Sequence, residues 1–458
     1  MIIEQIYTGC LAQGAYYIES KGEVAIIDPL REVQDYIEKA ANNNAKINYI
    51  FETHFHADFV SGHVTLSQKT GAKIVYGPTA KTNFEAIIAE DNQVFKVGAI
   101  TITVLHTPGH TMESVCYLLK DENGTDYALF SGDTLFLGDV GRPDLAQKSD
   151  ITEKELAGFL FDSLRNRIMP LADAVIVYPA HGAGSACGKN LSKETVGTIG
   201  NQKESNYALR ANMTKAEFVK EVTDGLLPPP AYFPLNVQLN KEGYRSIEDI
   251  LKISTKPLSI ESFEAIANET NAVILDVRHE LEFIKGFIPQ SIFIGIDGGF
   301  APWVGALIKD ITQPILLVTP KGREEDTITR LSRVGFDNVL GYLEGSFFSW
   351  KKAGKEIDTL MSISATVLEE KIKDKIPVFD VRKPAEYASE HLQIAENTPL
   401  DFLNNYITEF PKKENFYVHC AGGYRSVIAA SIIKARGFHN VVNVLGGYDA
   451  ITTTTIER

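Results

Sequence analysis

Residues Thr53–Phe59 read "THFHADF". His54 and His56 stand two apart and Asp58 follows, so three residues able to hold a metal fall within one short loop. The loop follows a β-rich run, "NYIFE", and the same placement recurs downstream. His110 follows "ITITVL" within "HTPGH", Asp133 closes "YALFSGD", and His181 closes "AVIVYPAH". Strand ends share one rim of a sheet, and loops there carry chemistry, so the recurrence predicts a shared metal site. Phe59 ends the motif with a ring that cannot coordinate a cation.

The 458 residues are enough for three domains at about 150 residues each. Apolar content of 44% and charged content of 23% describe an ordinary globular chain. The net charge of −14 repels phosphate backbones, so no nucleic-acid partner is expected. The start, "MIIEQIYTGC", lacks a basic segment followed by an apolar core, and no apolar run reaches the ~18 residues that span a bilayer. No membrane association and a cytoplasmic location are expected. Cys10, Cys116, Cys187 and Cys420 are too sparse for a disulfide framework and form no CxxC pair. Cys10 and Cys116 fall on strand-like segments and read as structural.

Up to about residue 200, short β-rich runs alternate with helical spacing, as in "REVQDYIEKAANNN" and "EKELAGFLFDSLRNRI". Leu226–Pro234, "LLPPPAYFP", reads as an extended arm or linker that cannot be helix. Beyond it lies an internal repeat. "AVILDVRHELEF" (Ala272–Phe283) is echoed by "IPVFDVRKPAEY" (Ile376–Tyr387), and "RVGFDNVLGYLEGSF" (Arg333–Phe347) by "ARGFHNVVNVLGGYD" (Ala435–Asp449). The echoes lie about a hundred residues apart, so each copy is expected to be a small α/β domain with a parallel sheet. The expected domains are 1–253, 254–357 and 358–458.

"THFHAD", "TPGHT", "SGDTLF" and "YPAHG", in this order, make the first region resemble the metallo-β-lactamase superfamily. The resemblance implies an αββα sandwich. In dinuclear members the aspartate and the next histidine of HxHxDH help hold a second metal, and Phe59 replaces that histidine, which argues for one metal. The pattern is similar to that of the persulfide dioxygenases. That likeness implies one Fe(II) on His54, His110 and Asp133, a facial triad with open positions for a persulfide and O2. His56, Asp58 and His181 then orient water or ligands. Zinc with His56 as fourth ligand is the alternative. Arg142, in "GDVGRPDL", pairs an anionic substrate or braces its loop. Cys187, in "HGAGSACGK", takes part in sulfur handling or is a buried hydrophobe.

In the last domain "VHCAGGYRS" (Val418–Ser426) has the form CxxGxRS, which resembles the active-site loop of rhodanese sulfurtransferases. Loop N–H groups and a helix N-terminus favour an anion, Arg425 adds positive charge, and Cys420 is expected to carry a persulfide. Ala421, Gly422, Gly423, Tyr424 and Ser426 complete the substrate-binding loop. The first repeat has "LLVTPKGREED" here, with Thr319 or Pro320 at the cysteine position, and is expected to be a spacer or docking surface.

The order of modules resembles the persulfide dioxygenase–sulfurtransferase fusions. It implies oxidation of a low-molecular-weight thiol persulfide by O2 to sulfite, then sulfur transfer giving thiosulfate, in sulfide detoxification. A homo-oligomer is expected. Two other readings stand beside it: a zinc thioester hydrolase of the glyoxalase II type with a sulfur-carrier tail, and a non-enzymatic persulfide sensor or docking protein.

Overall fold

The computed structural model describes residues 1–145, 151–189, 191–374 and 376–458. They form two compact units. One takes in Met1–Ile247 and Ser332–Gly335, the other Glu248–Leu331 and Phe336–Arg458. The helix Ile247–Ser254, which the sequence reading left with the first domain, falls almost wholly in the second unit.

The first unit has two six-stranded sheets. One runs β1 (Ile2–Thr8), β2 (Gln13–Ser20), β3 (Glu23–Ile27), β4 (Lys46–Phe51), β5 (Lys73–Tyr76) and β6 (Ile87–Ile88), antiparallel as far as β3 and parallel thereafter. The other is ordered β12 (Gly197–Thr198), β11 (Ile176–Pro179), β10 (Asp126–Gly132), β9 (Val115–Lys120), β8 (Ile100–His106) and β7 (Val94–Val97). Side chains of period two face both ways from each sheet. Tyr16, Ile18, Val104, Tyr117, Leu119 and Phe130 meet in the layer between the sheets. The intervening Ala15 and Tyr17 pack outward with Tyr36 of the helix Gln34–Asn42. Cys116 and Leu118 pack with Leu160 of the helix Glu153–Ser163. The result is helix, sheet, sheet, helix. Cys116 is therefore core, and burial pushes its thiol up to about 11. Cys10 lies in the turn between β1 and β2 rather than on a strand.

Leu226–Pro230 is non-helical, as three successive prolines require, but Phe233 and Pro234 open the helix Phe233–Glu242. Proline is accepted there because a first-turn N–H has no partner within the helix.

The second unit holds two five-stranded sheets of one topology: β13 (Pro257–Leu258), β17 (Val339–Leu343), β16 (Ile315–Val318), β14 (Val273–Asp276), β15 (Ile292–Phe293), and β18 (Ser362–Ile363), β22 (Val441–Val444), β21 (Phe416–His419), β19 (Val378–Asp380), β20 (Ala395–Asn397). All their pairings are parallel. The echoed "DVR" has one structural cause in both copies. Asp276 and Asp380, fully buried at strand ends, each accept a fork from the arginine two residues on, with Nη2–Oδ2 at 2.6 Å. A buried carboxylate needs such a partner. The two echoed segments also meet: Arg278 lies over the Phe347 ring at 4.3 Å and Arg382 over the Tyr448 ring at 3.9 Å. Among the described residues no helix is long and apolar enough to cross a membrane.

Candidate functional site

His54, His110, Asp133 and His181 all follow strand ends, and the structure brings them together as buried groups. One ligand atom each from His54, His110 and Asp133 lies within 4.8 Å of the others. Ring-nitrogen partners settle which face each imidazole presents. Thr53 Oγ1 donates its proton to Asp28 Oδ2 at 2.8 Å, so it accepts from His54 Nδ1 at 3.0 Å. His110 Nδ1 donates to Arg142 O at 2.8 Å, and His181 Nδ1 to Ala12 O at 3.2 Å. In the tautomer these partners fix, the free lone pair of each ring lies on Nε2. These atoms face one carboxylate: His54 and His110 Nε2 lie 3.8 and 3.5 Å from Asp133 Oδ2, and His181 Nε2 lies 3.6 Å from Oδ1. Burial first, then His56, His110 and His181, holds His54 well below the usual histidine range, which keeps it neutral.

Both Asp133 oxygens and His181 Nε2 have no hydrogen-bond partner. Three lone pairs aimed at a buried carboxylate repel it unless a cation sits among them. The donor set therefore fits a metal ion.

His56 turns Nε2 the other way, 3.1 Å from Asp28 Oδ1 and 3.4 Å from Glu52 Oε2. Burial alone would lower its pKa, but Asp28 and Glu52 outweigh it and hold the ring well above the usual range. His56, Asp58 and His181 also bring one ligand atom each within 4.8 Å. Burial raises the Asp58 carboxyl above its ordinary value. Phe59, wholly buried, packs its ring on His56 at 4.4 Å and brings no donor.

Arg142 is a brace. Its guanidinium forks onto Asp144 with both contacts at 2.6 Å and reaches Ala186 O and Leu227 O, so it is committed to its own loop and to the proline-rich arm. Of the two roles offered for Arg142, these side-chain contacts favour the brace, and its backbone meets two site residues: the carbonyl accepts from His110 Nδ1 and the amide donates to Cys187 O at 3.1 Å. Cys187 is buried, its Sγ within 4.8 Å of ligand atoms of Asp133 and His181. Burial first, then the Asp58 and Asp133 carboxylates, pushes its thiol well up, so it is held as a thiol.

Sequence reasoning missed several residues here. Asn240 Nδ2 donates to His56 O and Phe59 O, both at 2.8 Å, and so shapes the loop from far along the chain. Tyr232, at the end of the proline-rich arm, is buried, and its phenol is raised by burial and by the nearby Asp58 and Cys187. Asp28 and Glu52 carry no local signal beyond lying at strand ends, "IIDP" and "IFE".

In the second unit, Cys420 follows β21 and is 1% exposed. Gly423 N donates to its Sγ at 3.1 Å, and Ser426 Oγ lies 3.6 Å away. Gly423 has φ of 109°, a conformation other residues rarely adopt, which lets the loop turn its amide onto the sulfur. The Cys420 and Ala421 carbonyls accept from Tyr448 N and Asp449 N, at 2.6 and 3.1 Å. A Cβ at Gly447 would lie 2.3 Å from Ala421 O, so "VLGGYD" holds the loop at close range. Gly422 is exposed. Arg425 forks onto Glu386 at 2.7 and 2.8 Å, so its charge is shared with that carboxylate rather than offered whole to the loop. In the first repeat Asp276 pairs with Val318 as Asp380 pairs with His419. The residue matching Cys420 is thus Thr319, buried and without a thiol.

The metallo-beta-lactamase superfamily matches residues 8–181, and the rhodanese-like domain matches residues 259–353 and 364–454. The chain is 34% identical over 171 residues to a hydroxyacylglutathione hydrolase of Dictyostelium discoideum, covering 36% of this chain and 59% of that protein. It thus spans less than two thirds of that relative's length. A crystal structure of a metallo-beta-lactamase from Staphylococcus aureus subsp. aureus COL is 30% identical, with a TM-score of 0.66, covering 75% of this chain and 98% of that one. ETHE1 from Myxococcus xanthus is 27% identical, with a TM-score of 0.45, covering 53% of this chain and 98% of that one. The chain belongs to the metallo-beta-lactamase superfamily, and its second part consists of two rhodanese-like domains.

Proposed function

We propose that the chain oxidises a low-molecular-weight thiol persulfide with O2 at one Fe(II), and transfers sulfane sulfur at Cys420. The observation that carries the reading is Phe59: a ring packed on His56 stands where a dinuclear site needs a nitrogen, beside a complete His54, His110 and Asp133 set. Two neutral imidazoles and one carboxylate leave a divalent ion with about one net positive charge and open positions. Fe(II) there supplies the redox chemistry that lets O2 react with the terminal sulfur. Thr53, Arg142 O and Ala12 O fix the ring orientations around Asp133. Asp58 and His181, 3.5 Å apart, are placed to take the proton from the water that releases sulfite from the thiol. Tyr232, buried beside Asp58 and Cys187, helps exclude bulk water. At the second site the Cys420 thiolate takes the outer sulfur of a persulfide and releases the thiol. Sulfite then attacks that outer sulfur, giving thiosulfate and the thiolate again, while Gly423 N–H holds the charged sulfur.

The kinship with a hydroxyacylglutathione hydrolase favours a second reading, zinc-dependent thioester hydrolysis. Metal analysis joined to oxygen uptake with glutathione persulfide separates the two. Iron with oxygen consumption and sulfite formation supports the dioxygenase. Bound zinc, no oxygen uptake and anaerobic cleavage of a hydroxyacylglutathione would overturn it.

A further inference from the structure

The Cys420 loop is not built by the second repeat alone. Its helix, Tyr424–Ala435, packs against β15 of the cysteine-less repeat, where Phe293 N donates to Ser431 Oγ at 2.9 Å. At the first turn of that helix Tyr424 also reaches out of its own repeat. Its Oη donates to Gly295 O at 2.7 Å, and its ring meets Phe293 edge-on at 6.0 Å.

The ring fills space that two glycines leave open. A Cβ at Gly298 would lie 2.3 Å from Tyr424 Cζ and 2.5 Å from Oη, and one at Gly295 would lie 3.1 Å from Cε2. Neither glycine has a positive φ, so backbone conformation does not call for glycine there, and the close approach does. The residue before Tyr424 is Gly423, whose amide holds the Cys420 sulfur at 3.1 Å. Anchoring the ring therefore sets the amide.

We propose that the cysteine-less repeat is a working part of the sulfur-transfer site: through Gly295 and Gly298 it seats Tyr424, and so positions the Gly423 amide and the first helical turn against Cys420. This rests on reading Cys420 as the sulfur carrier. Tyr424 is then a positioning residue rather than a substrate contact, and the first repeat is more than a spacer.

The test uses the full chain. Gly298→Ala drives a methyl into the ring and is expected to lower Cys420-dependent sulfur transfer about tenfold in kcat. It should also lower the ratio of Cys420 alkylation rates at pH 7 and pH 9, read by peptide mass spectrometry, because the displaced amide no longer favours the thiolate. Oxygen uptake at the other unit should not change. Tyr424→Phe, which keeps the ring and folds with one hydrogen bond fewer, should lose about two- to threefold. Gly298→Ala added to Tyr424→Ala should cost nothing further, because the three nearest atoms to that methyl all belong to the Tyr424 side chain. Transfer within about twofold of wild type and an unmoved pH ratio in both Gly298→Ala and Tyr424→Phe would overturn the proposal, as would full additivity of Gly298→Ala with Tyr424→Ala. If the wild-type Cys420 takes up no sulfur while the alkylation ratio still shifts in the variants, the carrier reading fails and the positioning stands.

Discussion

Thr53→Val tests whether the metal centre depends on a fixed imidazole tautomer. Thr53 is 1% exposed, and valine keeps its shape while removing one oxygen. That oxygen accepts from His54 Nδ1 at 3.0 Å because its own proton is given to Asp28 at 2.8 Å. Without it, His54 is free to move its proton to Nε2, the atom aimed at Asp133, and a metal must then displace that proton before it binds. Loss of a partner to a ligating histidine costs roughly ten- to a hundredfold in metal affinity, or about 1.4–2.7 kcal/mol. The loop itself should survive, because Asp28 keeps Thr53 N at 2.8 Å and His56 at 3.1 Å. An anaerobic competition titration of Fe(II) against a coloured chelator reads the affinity, and Cys420 sulfur transfer serves as an internal control. Thr53→Ser should restore binding. A Kd for Thr53→Val within about twofold of wild type would refute the tautomer argument for this ligand.

Three further outcomes are expected. Phe59→His supplies the missing nitrogen beside Asp58 and His181 and should raise bound metal from one towards two ions per chain by elemental analysis; unchanged stoichiometry would show that the ring is not what limits the site. Asp380→Asn strips the charge partner from buried Arg382 and should cost about 3–5 kcal/mol in denaturant unfolding of the second unit, so a loss below about 1 kcal/mol contradicts the buried-pair account. Glu386 is held below the usual carboxylate range by Arg425, so the pair stabilises the fold above the unfolded-state value of about 4.3 and that contribution is lost as pH falls through the lower folded value. The Tm gap between wild type and Glu386→Gln should therefore be largest near neutral pH and shrink towards pH 3; a constant gap would mean that the fork contributes nothing ionic.

The placement of the metal residues was readable because it is local. His54, His110, Asp133 and His181 each stand within a few positions of a strand end, and strand ends gather on a rim whichever way the sheets pair. The repeat was readable for a similar reason, since "DVR" and its echo recur as contiguous words. Their meaning was not, because the arginine of one word stacks on an aromatic ring of another word far along the chain. Arg142 was left open between two roles for the same reason: a guanidinium in a site loop resembles an anion receptor until Asp144, Ala186 and Leu227 are found around it.

The order of residues alone determined the succession of one α/β region and a repeated pair, the metal-ligand types, the missing nitrogen at Phe59 and the single thiol of the repeats, because these depend on side-chain identity and short-range spacing. Only the folded chain decided which ring nitrogen carries the proton, that His56 turns Nε2 to Asp28, that Asn240 and Tyr232 belong to the metal site, and that Tyr424 rests on two glycines of the neighbouring repeat. A side chain's orientation and protonation are set by the atoms packed around it, and burial brings those from positions that spacing along the chain does not reveal.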